Sequence, residues 1–131
     1  MIGALIAKLL ATAGVSALVS TRIRPVLAHQ TDTLPLIVVH QITHRPEYST
    51  SATVALADTR VQIDCWGKTM ASAQAVGEAV KAALSGQTFT QGGVTFQGCF
   101  VAGERHSFEG DQPEARRFRC GLDFQVWHSD P

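Results

Sequence analysis

The spacing of apolar residues changes several times along the chain, and each change marks an element. Ile2, Leu5, Ile6, Leu9 and Leu10 recur at helical spacing, so the pattern predicts a helix over residues 2 to 12 with one buried stripe and a stop near Gly14. Arg22 to Ala28 reads as a short strand broken by Pro25, which a sheet tolerates at an edge or a strand end. Leu36 to Thr43 is apolar and β-branched, and with Val54 to Trp66 it brackets the polar stretch RPEYSTSA. These two segments predict a long antiparallel hairpin whose loop begins at Arg45. In its second arm Thr59, Val61, Ile63 and Cys65 alternate with Asp58, Arg60, Gln62 and Asp64, the period of a strand with one face on a core.

A second helix is predicted over residues 69 to 85. Thr69 can cap it, Met70, Ala73, Val76, Val80, Ala83 and Leu84 share one side, and Gly86 can end it. The small residues Ala71, Ala75, Gly77, Ala79 and Ala82 suggest that this helix lies close against a neighbour. After a turn at Gln91, Gly92 and Gly93, Val94, Phe96 and Phe100 alternate along a strand. The charged stretch from Gly103 to Glu114 reads as a loop. Arg117 to Trp127 is the cleanest alternation, with Phe118, Cys120, Leu122, Phe124 and Val126 on one face. The element order predicts one α+β domain over residues 1 to 131, a mainly antiparallel sheet with two helices packed on one face.

Composition narrows the class of function. Eleven basic residues balance eleven acidic ones, so no net field draws the chain to nucleic acid or anionic lipid. Charged residues make up 17% of the chain, below the usual quarter, which suggests that neighbouring subunits cover part of its surface. The opening segment lacks a basic leader and Lys8 interrupts it, so it reads as an amphipathic helix and not as a signal peptide. The uncharged run from Leu9 to Ser20 is too short to span a bilayer, and no membrane partner is expected.

Candidate chemistry is weak wherever it arises. Gly67-Lys68-Thr69 stands between a strand and a helix, where a nucleotide-binding P-loop ends, but that motif needs a glycine where Gln62 stands in mid-strand. Five histidines, His29, His40, His44, His106 and His128, invite a metal reading. His40 and His44 share a strand face at about 13 Å, too far apart for one ion. A site joining histidines of different strands stays open at this stage. Cys65, Cys99 and Cys120 are an odd number without CxxC spacing and read as reduced packing residues. No GxSxG elbow is present, and Asp64 and Asp123 on polar strand faces read as partners for Arg60, Arg117 or Arg119. No catalytic, cofactor-binding or metal residue is therefore expected. Arg116, Arg117 and Arg119 follow Glu104, Glu109, Asp111 and Glu114, a mixture of signs that suits contacts between subunits better than a phosphate-tracking groove.

Taken in order, these segments resemble one family. RVQIDCWGKTMASAQAVGEAVKAAL, from Arg60 to Leu84, is similar to the central signature of the tail-completion, or tail-terminator, proteins of long-tailed phages and phage-like particles. CGLDFQVWH, from Cys120 to His128, resembles that family's last strand. Arg22-Ile23 with Pro25, Pro35 opening an apolar strand, and ITHRPEYS match its first half, so the resemblance runs from Leu5 to Trp127. Leu36 stands where an aromatic often follows the proline, a departure that leaves the fold untouched.

The resemblance implies a structural virion protein without catalytic residues. It implies a ring, typically a hexamer, at the head-proximal end of the tail tube, contacting the tube protein and a head-completion or neck protein, with DNA only as passing cargo in the lumen. The alternatives are a head-closure or other neck protein of the same particle and, more remotely, a small metal- or thiol-dependent enzyme. Residues expected at subunit contacts are Arg45, Glu47 and Tyr48 in the hairpin loop and Glu104, Arg105, Phe108, Glu109, Asp111, Arg116 and Arg117 in the charged segment, with Tyr48 and Phe108 as aromatic anchors.

Overall fold

The computed structural model describes residues 1–28, 32–48 and 53–129, with the side chains of residue 48 and residues 53–55 outside the description. The elements are α1 (Ile2–Ala11), α2 (Ala13–Val19), β1 (Ile23–Pro25), β2 (Leu36–Tyr48), β3 (Thr53–Gly67), α3 (Met70–Leu84), β4 (Phe89–Gln91), β5 (Val94–Glu109), a 3-10 turn (Pro113–Ala115) and β6 (Arg117–His128). Among the described residues six strands form one sheet in the order β1-β2-β3-β6-β5-β4. All pairs are antiparallel except β1 with β2. The class is α+β, as the pattern predicted.

Strand alternation places the core. Val61, Ile63 and Cys65 of β3 and Cys120, Leu122, Phe124 and Val126 of β6 are almost completely buried. They form one cluster with Leu5 and Leu9 of α1, Val15 and Val19 of α2, and Ala73, Val76, Val80 and Leu84 of α3. Thr69 caps α3 as expected, its hydroxyl accepting from the Ser72 amide at 3.1 Å. Gly67 has a steric reason to be glycine, because a Cβ there would lie 2.7 Å from the Ala73 amide nitrogen. Gly77 lies against Cys120, where an added Cβ would stand 2.6 Å from Sγ. Of the other small residues on α3, Ala71, Ala75 and Ala82 face solvent, so the close approach is confined to Gly77 and its surroundings.

Three expectations are corrected. The described residues contain three α-helices, not two: α1 stops at Ala11, and after a bend of 88° α2 continues through Gly14, the expected stop. Thr12 makes the break, with an extended backbone and its hydroxyl donating back to the Lys8 carbonyl at 2.8 Å. No single helix among the described residues is long and apolar enough to cross a membrane. The second correction concerns the loop expected from Arg45, since β2 stays paired with β3, across register shifts between Gln41 and Thr43 and between Pro46 and Tyr48, as far as Tyr48 opposite Thr53. The third concerns the charged loop from Gly103, of which the part to Glu109 is the second half of β5, paired residue by residue with β6.

Candidate interaction surfaces

Strand pairing decides where the expected contact residues lie. Arg45 pairs with Asp58, Asp58 with Trp127, and Ala57 with His128, so Arg45, Glu47 and Tyr48 belong to the end of the sheet where β6 finishes. Glu109 pairs with Arg117, and Phe118 with Gly67, which puts Phe108, Glu109, Asp111, Arg116 and Arg117 at the opposite end. The two groups are separated by the length of β6, about 35 Å for a strand of this size. Glu104 and Arg105 fall between them, in the middle of β5 opposite Leu122 and Gly121. Arg45 is exposed and Glu47 half-buried, while the side chain of Tyr48, residues 49–51 and His29 lie outside the described residues.

The β5–β6 end is a mixed-charge surface around one exposed aromatic. Phe108 keeps 57% of its area in solvent, tilts against Phe118 with ring centroids 6.0 Å apart, and has the Arg116 guanidinium 5.5 Å from its ring centre. Glu109 reaches Arg117 at 3.6 Å. Both groups are well solvated, so this ion pair adds little stability and leaves its charges available to a neighbour.

The helix-free face of the sheet carries a polar network that the composition did not reveal. Asp64 is almost completely buried, accepts from Gln62 Nε2 at 2.9 Å, and is faced by His40 Nε2 at 3.4 Å and an Arg119 nitrogen at 3.8 Å. Asp64 thus meets Arg119, as expected, whereas Asp123 meets Arg105, at 3.8 Å. Trp66 lies under two guanidinium groups, Arg117 at 4.9 Å and Arg119 at 5.4 Å from its ring. Beside it a depression of about 250 Å³ is lined by Val26, Leu27, Trp66, Arg117 and Arg119 among others. Val26 has a positive φ of 67°, and the Leu27 amide donates to the Pro25 carbonyl at 2.7 Å across it. This tight γ-type turn is costly for a β-branched residue, and it holds Val26 and Leu27 68% and 76% exposed.

On the helix-bearing face, Glu104 and His106 of β5 meet Cys120 of β6 beneath α3. Lys81 bonds Glu78 at 2.7 Å and Glu104 at 2.9 Å. Those two carboxylates hold the lysine charged above its ordinary range, and Lys81 in turn lowers the Glu104 carboxyl. Burial raises all three thiols, Cys65 well above its usual range and Cys99 and Cys120 to about 11, the opposite of an activated nucleophile. Lys68 is exposed and Gln62 lies in mid-strand within β3, so the Gly67-Lys68-Thr69 segment forms a helix cap without a phosphate loop. Sequence reading missed the Glu104–His106–Cys120 cluster because it weighed the histidines alone; Glu104-x-His106, two apart on one strand face, was the available signal.

A family model described as tail completion protein gp17 matches residues 3–129. The chain belongs to that family. It is accordingly a structural tail-completion protein of the phage type, and its place is the tail of a virion. In fold, this tail-completion protein is similar to a chain in the virion of a native gene transfer agent (GTA) particle, with a TM-score of 0.72 and 18% identity over 97% of this chain and 92% of that one. Among curated proteins none is similar enough in sequence to be matched.

Proposed function

We propose that this tail-completion protein is the tail terminator, a subunit that closes into a ring of six at the head-proximal end of the tail tube. The ring stops tube polymerisation and presents a second face to the neck proteins. The observation that supports this reading is the separation of two unlike charged surfaces at opposite ends of one sheet. A closed ring larger than a dimer needs heterologous contacts, in which one patch of each copy meets a different patch of the next. The β2–β3 end, with Arg45, Glu47 and Tyr48, supplies one patch. The β5–β6 end, with Phe108, Glu109, Asp111, Arg116 and Arg117, supplies the other, and Glu104 and Arg105 border it along the β5 edge. Mixed charges set the register between copies, while Phe108 provides apolar area for burial.

Phe108→Asp and the double reversal Arg116→Glu, Arg117→Glu test the reading in assembling particles, scored by tail length and head joining. Overlong or headless tails are expected, with the variant still folded by circular dichroism. Tails of normal length joined to heads would remove these residues from the interface.

A further inference from the structure

Glu104 and His106 are two apart on β5 and project from the same side of the strand, and Cys120 of β6 stands directly opposite His106. One ligand atom from each lies within 4.8 Å of the others. Glu104 Oε2 is 3.6 Å from His106 Nε2, and its Oε1 is 3.8 Å from Cys120 Sγ. An acid, an imidazole and a thiol converging from two paired strands form the mixed O/N/S donor set that suits a borderline divalent ion in four-coordinate geometry, with one position left for water.

We propose that Glu104, His106 and Cys120 bind a single divalent transition-metal ion, of which zinc is the best match. Charge arithmetic supports the site. Binding releases the Cys120 thiol proton to solvent, so the carboxylates of Glu78 and Glu104 and the Cys120 thiolate then balance the dication and the Lys81 ammonium. Lys81 stays on Oε1 of Glu104 and orients the carboxylate so that Oε2 faces the ion, a supporting contact of the usual kind. The charged and titratable groups around the ion are Glu78 and Lys81 from α3, Glu104 and His106 from β5, Cys120 from β6 and Cys65 of β3, which pairs with Cys120. The ion's consequence is mechanical. Among the described residues the outer half of β5 pairs on one side only, with β6, and a metal across Glu104, His106 and Cys120 clamps it to β6 beneath α3.

Titration of the purified chain with cobalt(II) alone, then displacement by zinc, tests the site. The expected result is one ion per chain and a thiolate-to-cobalt charge-transfer absorption in the near ultraviolet. His106→Ala, at a partly exposed side chain whose loss does not threaten the core, should weaken binding by more than about tenfold and remove the absorption. Cys120→Ala should also remove it, while Cys99→Ala should retain it. Zinc should slow amide exchange from residue 104 to residue 109. Absence of the charge-transfer absorption in the unaltered chain, or its survival in His106→Ala, overturns the proposal.

Discussion

The hydroxyl of Thr59 lies 2.7 Å from Nε2 of His128, with both side chains almost completely buried. His128 Nδ1 donates to the Ser129 carbonyl at 2.8 Å, and the Thr59 hydroxyl bridges His128 Nε2 to His44 Nδ1, which lies 2.9 Å away. This ordered chain ties β2, β3 and β6 together at the β2–β3 end of the sheet. Thr59→Val keeps the shape and removes the hydroxyl, so the molecule should lose about 1–3 kcal/mol of stability. Thr59→Ser should recover most of it, and urea unfolding measures both. An unchanged midpoint for Thr59→Val would show that the hydrogen bonds do not contribute.

At Gly77 two effects oppose each other. Alanine raises helix propensity by about 1 kcal/mol, but its Cβ would stand 2.6 Å from Cys120 Sγ, and overpacking of a tight core costs about 1–3 kcal/mol. The clash should win, and Gly77→Ala should lower the melting temperature. In a Cys120→Ala background the nearest remaining atom, the residue 120 Cβ, is 3.5 Å away, an ordinary contact. There the same change should be neutral or stabilising, and a double-mutant cycle should show coupling of that sign.

Most of the core and little of the contact surface were legible in the sequence. Val61, Ile63, Leu122 and Phe124 alternate with polar neighbours because their strands have one wet face and one dry one, and all four are completely buried. The break at Thr12 was hidden because apolar spacing continues across it, and only the hydroxyl's bond to the Lys8 carbonyl distinguishes an end from a helix interior. The second half of β5 was hidden for the opposite reason. Glu104 and His106 on one face alternate with Arg105 and Ser107 on the other, so both faces are polar and no hydrophobic contrast reveals the strand. Cross-strand partners in β6 decide it, and those exist only in the fold.

The Lys81–Glu104 pair makes stability depend on pH at the acid end. Folding lowers the Glu104 carboxyl below its ordinary value of 4.5, so between the two values the unfolded chain binds more protons and stability falls as pH falls. Glu104→Gln or Lys81→Met should flatten that acid limb in urea midpoints followed downward from neutral pH. Because both groups keep solvent contact, the change should be modest. A limb equally steep in both variants would assign the acid sensitivity to other carboxylates.

Gly67-Lys68-Thr69 offers a prediction of silence. Lys68 is exposed and only the flanking Gly67 and Thr69 have structural tasks, so Lys68→Ala should change stability in urea unfolding by no more than about 0.5 kcal/mol. Neither protein should bind ATP in calorimetry. Tight ATP binding by the unaltered chain, lost on the substitution, would defeat the helix-cap reading.

Two unlike patches on one subunit make a ring testable by mixing. Consider one variant with Arg45→Glu and Glu47→Lys, altered only at the β2–β3 end, and another with Arg116→Glu and Arg117→Glu, altered only at the β5–β6 end. Each alone has one sound patch and one spoiled patch, so no copy of it can find a complete partner among its own kind. Mixed together, the first variant's sound β5–β6 end can meet the second variant's sound β2–β3 end. The resulting pair exposes two spoiled patches and cannot grow. At a concentration where the unaltered chain forms rings, alone or on tail tubes, each variant should sediment as a monomer and the mixture should stop at heterodimers. If the interface instead joined identical patches, the variant that keeps that patch sound would pair with itself before mixing; that result, or a mixture that stays monomeric, would refute the proposed head-to-tail arrangement.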